Sequence, residues 1–263
     1  MLSTNFLPKG VRTVRSTILL VGLPFLIITW LLGNWQYKRV KAWWEFEEYY
    51  DGGASAGDKV IVMAKLEREN TDWVAENLPE WQRAIYTVDN PSSPLHTPSN
   101  KGHESMAYLT YIIDNYANLP STIVFLHSHR NGYFKGWHTD TWLYDNVRSV
   151  RALRLPYVQL SGYVNLRCSW QPGCKPSHRN NEHVTPQVWR EVFRKGDDYP
   201  VPEQVGAACC AQFAVSRDQV HARPVSDYEH FREWILETEL EDEKSGRVME
   251  FLWHVIFGKG AVQ

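Results

Sequence analysis

From Lys59 onward, short apolar runs alternate with stretches of helical spacing. Residues 59–64 (KVIVMA), 84–88 (AIYTV) and 122–126 (TIVFL) are continuous apolar or β-branched runs too short for helices, the pattern of strands buried on both faces. Between the first two lies 71–78, with Thr71 at the N-cap position and Asp72 in the first turn. Between the second and third lies 103–116, where Met106, Leu109, Ile112 and Ile113 recur at helical spacing. Strand, helix, strand, helix, strand predicts the start of a doubly wound α/β domain.

The second half is less regular. Residues 142–153 read as helix, 157–166 as mixed, 168–183 as a Gly/Pro/Asn-rich loop and 186–193 as a short helix. The apolar run 206–215 (GAACCAQFAV) predicts a fully buried strand. Two helices close the domain: 226–240, with Ser226 and Glu229 as a capping box, and 245–257, capped by Ser245 and stopped by Gly258. The fold class expected is a Rossmann-like three-layer α/β domain over residues 59–259 with a mainly parallel sheet.

The N-terminal pattern differs. Arg15 and Lys38 enclose 22 uncharged residues ending in Trp30, Trp35 and Tyr37, which fits one membrane-spanning helix with an aromatic belt over residues 16–37. It exceeds the roughly 7 to 15 apolar residues of a signal peptide, so an uncleaved anchor is expected, after a basic tail at 1–15 and before a juxtamembrane linker at 38–58. Basic residues flank both ends of the span, a near tie for orientation. The chain has no Asn-x-Ser/Thr acceptor, because Asn90-Pro91-Ser92 is disqualified by its proline, and Cys209-Cys210 reads as buried reduced thiols. A single-pass protein with its domain facing the cytosol is expected.

A net charge of −2 argues against a surface that clamps nucleic acid throughout, and the 12 Trp, 13 Tyr and 10 Phe suit a large core or an aromatic-floored pocket. There is no G-x-G-x-x-G, P-loop or G-x-S-x-G, so dinucleotide, kinase-like and α/β-hydrolase readings lose support.

Candidate chemistry gathers after the strands. Asp72 and Glu76 are four apart on the helix after the first strand, where one carboxylate serves as base while the other positions substrate. The competing reading has Asp72 capping and Glu76 solvated. His127 and His129 share one side of an extended chain after the third strand, with Arg130 beside them and Trp137-His138 further on. Glu250 and His254 are four apart on the last helix with Arg247 on the same stripe, either an acid/base couple or a surface pair. Cys168 and Cys174, even with His178 and His183, miss the usual zinc spacing, and no metal is expected.

Six strings carry a resemblance: 62–76 (VMAKLERENTDWVAE), 100–104 (NKGHE), 125–130 (FLHSHR), 162–168 (GYVNLRC), 206–213 (GAACCAQF) and 245–254, from Ser245-Gly246-Arg247 to Trp253-His254. Together they resemble a fungal family that includes arginine-containing cyclodipeptide synthases, secondary-metabolite enzymes that join arginine and a second amino acid into a diketopiperazine. The resemblance implies aminoacyl-tRNA as co-substrate, arginyl-tRNA included, with no other cofactor and no DNA partner. Set beside it, the residues read above become the catalytic candidates, Asp72, Glu76, His127, His129, Glu250 and His254, with Asp72 and Glu76 suited to a guanidinium. Arg130, Trp137, His138, Asn165 and Gln212 would contact substrate, Arg130 at the tRNA terminus. The rival class is a type II membrane glycosyltransferase, which the short tail, anchor and stem fit, although no Asp-x-Asp follows the third strand.

Overall fold

The computed structural model describes residues 22–47, 58–132, 138–169 and 183–263. The chain divides into two compact units, Met1–Tyr49 and Tyr50–Gln263. The first contains helix α1 (Leu23–Glu47), so residues 38–47, expected as linker, are helical. Leu26, Ile28, Trp30, Leu31 and Leu32 of α1 are each more than half exposed, and since helical neighbours point about 100° apart, apolar surface encircles its first half. Among the described residues no helix is long and apolar enough to cross a membrane. Residues 16–21 of the expected anchor lie outside them.

The second unit is a five-stranded sheet in the order β2-β1-β3-β5-β4. Strands β1 (Lys59–Lys65), β2 (Gln82–Thr87) and β3 (Thr122–His127) are parallel, joined through α2 (Asp72–Asn77) and α3 (Glu104–Asn115) as their alternating periods predict. A 3-10 turn (Trp142–Tyr144) leads to α4 (Asn146–Arg151), whose first turn is capped by Asp145 accepting from the Val147 amide at 2.8 Å. Then come α5 (Leu155–Ser161), β4 (Tyr163–Asn165), α6 (Pro186–Phe193), β5 (Phe213–Ser216), α7 (Arg217–His221), α8 (Val225–Glu237) and α9 (Asp242–Ile256).

The sheet is mixed rather than mainly parallel, because β5 runs antiparallel to both β3 and β4. The run at 206–215 is also not one strand: Cys210 and Ala211 have φ of 90° and 46°, a left-handed pair that turns the chain, and regular pairing starts at Phe213. The last two helices begin earlier than their serines suggested. Ser226 lies inside α8, and Ser245 lies inside α9 with its hydroxyl donating to the Glu241 and Asp242 carbonyls at 3.1 Å. Gly258, at φ 76°, follows the end of α9 as expected.

Alternation along the strands builds three layers. Val60, Val62, Ile123, Phe125, Phe213 and Val215 face one core with Tyr108, Ile112, Phe231 and Trp253 from α3, α8 and α9. Ile61, Met63, Val124, Leu126 and Ala214 face the other with Trp73, Val147, Val150 and Val158 from α2, α4 and α5.

Candidate functional site

Strand β1 lies between the two strands parallel to it, β2 and β3, and the crossovers pass on opposite faces, α2 on one and α3 on the other. The crevice beyond the carboxyl ends of β1 and β3, where Ala64 and His127 lie side by side, is the place where open α/β sheets bind ligands. A cavity of about 200 Å³ opens beside His127, the last residue of β3. Its wall is completed by His138, by Cys210 from the turn before β5, by His103 and Glu104 at the start of α3, and by Glu243, Gly246, Arg247 and Glu250 of α9.

His127 is fixed from three sides. Its amide donates to Gln212 Oε1 at 3.0 Å, its Nε2 donates to the Cys210 carbonyl at 2.7 Å, and its ring stacks on His138 with centroids 4.3 Å apart. The carbonyl can only accept, so in neutral His127 the Nε2 carries the proton and Nδ1 is the acceptor. Gln212, fully buried, exchanges amide hydrogen bonds with Asn146 at 3.0 and 3.2 Å, while Asn146 donates to the His129 carbonyl at 2.7 Å. One amide pair therefore ties together the end of β3, the start of α4 and the chain entering β5. Burial pushes the His138 imidazole down to about 3, with the neighbouring His127, His129 and Arg167 adding to the effect, so it is neutral.

Glu250 accepts from the Cys210 amide at 2.8 Å through Oε1 and from Arg247 through Oε2. Burial raises its carboxyl above the ordinary glutamate range; Arg247 opposes that shift. Cys209 and Cys210, expected as buried thiols, are joined to each other by a disulfide. The buried Arg167 places Nη1 3.5 Å from Cys209 Sγ and 3.8 Å from Cys210 Sγ, and its Nε lies 3.6 Å from Asp140. The two sulfurs and a Glu250 oxygen lie within 4.8 Å of one another, but bridged sulfurs are not the thiolates that hold a metal.

His103 sits at φ 52° and donates its amide to Asp242 at 3.1 Å, with Nε2 3.4 Å from the same carboxylate. A Cβ on Gly246 would come within 2.8 Å of its ring, so a glycine is what lets α9 pass this close.

The sequence-derived candidates divide sharply. His127, His138 and Glu250 line the cavity, and Gln212 braces it. Asn165 shapes the cystine turn, donating to the Ala208 carbonyl at 2.9 Å and accepting from the Arg167 amide at 2.8 Å. Asp72 and Glu76 are exposed on α2 and line no part of the cavity; Asp72 exchanges hydrogen bonds with Asn70 at 2.7 and 2.9 Å. Thr71 makes no side-chain cap there. His129 lies 3.6 Å from Glu69, and Arg130 lies 3.6 Å from Asp145. His254 does not meet Glu250: it is fully buried with Nε2 3.0 Å from the Ala261 carbonyl. Trp137, Cys174 and His178 lie outside the described residues, and Cys168 is a free, exposed thiol. Glu104 stands in one of the resemblance strings without a role of its own and Glu243 in none of them, because each reads as an ordinary acidic residue in the first turn of a helix.

The six strings that share the resemblance meet in space. Four of them, 100–104, 125–130, 206–213 and 245–254, contribute His103 and Glu104, His127, Cys210, and Gly246, Arg247 and Glu250 to the cavity wall. Of the other two, 162–168 brings Arg167 against the sulfurs of Cys209 and Cys210, and 62–76 places Glu69 beside His129, two residues beyond His127, without lining the cavity. Fold and site define a three-layer α/β protein with a cavity beside the carboxyl end of β3, walled by charged and imidazole side chains. The chain belongs to the family described as Protein of unknown function (DUF3431), whose match spans residues 61–263. No curated protein and no solved structure matches it.

Proposed function

We propose that the protein is a cyclodipeptide synthase that joins arginine to a second amino acid using aminoacyl-tRNA. The observation carrying this reading is the convergence of four resemblance strings on one cavity. Aminoacyl esters arrive activated, so the enzyme must hold two aminoacyl groups, accept a proton from an α-amine and stabilise an oxyanion. Glu104 and Glu243 replace Asp72 and Glu76 as the carboxylates offered to the arginine guanidinium, since they face the cavity. Glu250, with its raised carboxyl, takes the amine proton and returns it to the leaving hydroxyl, and His127 Nδ1 is the second acceptor. Arg247 supplies the cationic donor for the oxyanion.

The apolar start of α1, together with the uncharged residues before it, supports a membrane tether; a cytosolic face would give the site access to charged tRNA. The test is to supply the full chain with arginyl-tRNA and a mixture of other charged tRNAs and to look for arginine diketopiperazines by mass spectrometry. Product that falls on the order of a hundredfold or more in Glu250→Gln supports the reading. Consumption of a nucleotide sugar with no diketopiperazine transfers the assignment to a glycosyltransferase.

A further inference from the structure

The cystine at Cys209–Cys210 has more connections than a covalent staple between neighbours requires. Bonding adjacent cysteines closes a small ring through the intervening peptide and constrains little beyond that peptide. Yet that peptide lies in the turn set by the left-handed Cys210 and Ala211. Both hydrogen-bonding groups of Cys210 are committed to the cavity, its amide to Glu250 at 2.8 Å and its carbonyl to His127 at 2.7 Å. The ring state and the placement of these two side chains are therefore one geometric problem.

Access and leaving-group chemistry are also provided. Cys210 is one of the residues that line the cavity, so the cavity is the route by which a small reagent approaches it. Behind it, the Arg167 guanidinium is 3.5 Å from Cys209 Sγ, where it stabilises negative charge arriving on that sulfur. Arg167 is itself held by Asp140 and by the Ser169 carbonyl, 3.1 Å from its Nε. A disulfide whose Cys210 borders a cavity, with a cation beside its sulfurs, has the two elements that exchange requires.

We propose that Cys209–Cys210 is an exchangeable disulfide, reduced from the cavity by a low-molecular-weight thiol, and that its opening releases His127 and Glu250 from their present positions. The thiolate of the reagent attacks Cys210 Sγ. The S–S bond breaks, and its electron pair passes to Cys209 Sγ beside Arg167. A second reagent thiolate attacks the outer sulfur of the mixed disulfide, leaving Cys210 as thiolate and the reagent as its own disulfide. The two protein sulfurs take up the two protons that the reagent thiols released. The net change is one cystine and two thiols to two cysteines and one reagent disulfide, and it holds whether or not the cavity performs the acyl chemistry proposed above.

The test uses the full chain, folded, with dithiothreitol as the probe. Alkylation followed by peptide mapping should find the peptide containing Cys209 and Cys210 unlabelled before reduction and doubly labelled after it, with exposed Cys168 labelled throughout as an internal control. Labelling without reductant, or only after unfolding, overturns the proposal. Arg167→Met should slow native-state reduction on the order of tenfold while Arg167→Lys, which keeps the charge, stays near the parental rate; equal rates in all three remove Arg167 from the exchange. Hydrogen exchange of the unsubstituted protein supplies the second arm. Reduction should increase exchange in the peptides containing Cys210 and His127, and an unchanged pattern overturns the coupling to the cavity.

Discussion

Two partly buried ionisable side chains, His138 and Glu250, share the cavity and are shifted in opposite directions, which gives each a distinct signature against pH. The His138 imidazole is held down to about 3, so its neutral form is favoured by folding. Its contribution to stability is complete above the ordinary histidine value of 6.5 and is lost as pH falls from there toward about 3. His138→Gln should lose less of its neutral-pH melting temperature on going to about pH 4 than the parent does. Glu250 works the other way. Its folded carboxyl binds a proton more tightly than in the unfolded chain, so its contribution is complete below the ordinary glutamate value of 4.5 and is lost as pH rises through the higher folded value. Relative to the parent, Glu250→Gln should gain melting temperature as pH increases from about 4 to about 8. Thermal melts of both variants across this range check both signs, and a parallel response in the two would contradict the opposed shifts.

At the scale of elements, the sensitive joint is where α9 crosses the start of α3. Gly246 faces the His103 ring with no room for a methyl group, 2.8 Å being well inside contact. Gly246→Ala should cost about 1–3 kcal/mol in chemical denaturation, and adding His103→Ala should restore part of it, because it removes the ring, the nearest obstacle, and leaves the His103 Cβ at 3.1 Å. If the double variant is no better than the single one, the clash lies elsewhere. The crossover helices and first three strands were legible in the sequence because their periods are clean: TIVFL occupies both cores at once, and Met106, Leu109 and Ile112 keep a single face. The cystine turn was not. GAACCAQFAV is uniformly small and apolar, so nothing in its pattern marks the reversal at Cys210 and Ala211. For the same reason His127 was readable from its place at a strand end, whereas Glu104 and Glu243 become cavity residues only because α3 and α9 start side by side. Asp72 and Glu76 keep their four-residue spacing on a six-residue helix, where both are exposed and outside the cavity wall.

For the molecule as a whole, the sheet, both cores and the entire cavity wall belong to the unit Tyr50–Gln263. A protein starting at Asp58 should therefore fold and melt within a few degrees of the full chain, while losing whatever membrane association α1 and the residues before it provide. Circular dichroism melts and vesicle flotation separate these outcomes, and a collapsed melt would show that the first unit is needed for folding. The reversed strand has a consequence during biosynthesis. Three parallel strands leave the ribosome early, but β5, which covers the outer edge of β3 from Thr122 to Phe125, is made much later. Until it emerges, a bare TIVF edge with unpaired backbone groups is available to other nascent chains. The same late segment brings Cys210 to the cavity, but the wall is complete only when α9 adds Glu243, Gly246, Arg247 and Glu250, so the edge is covered before the site is finished.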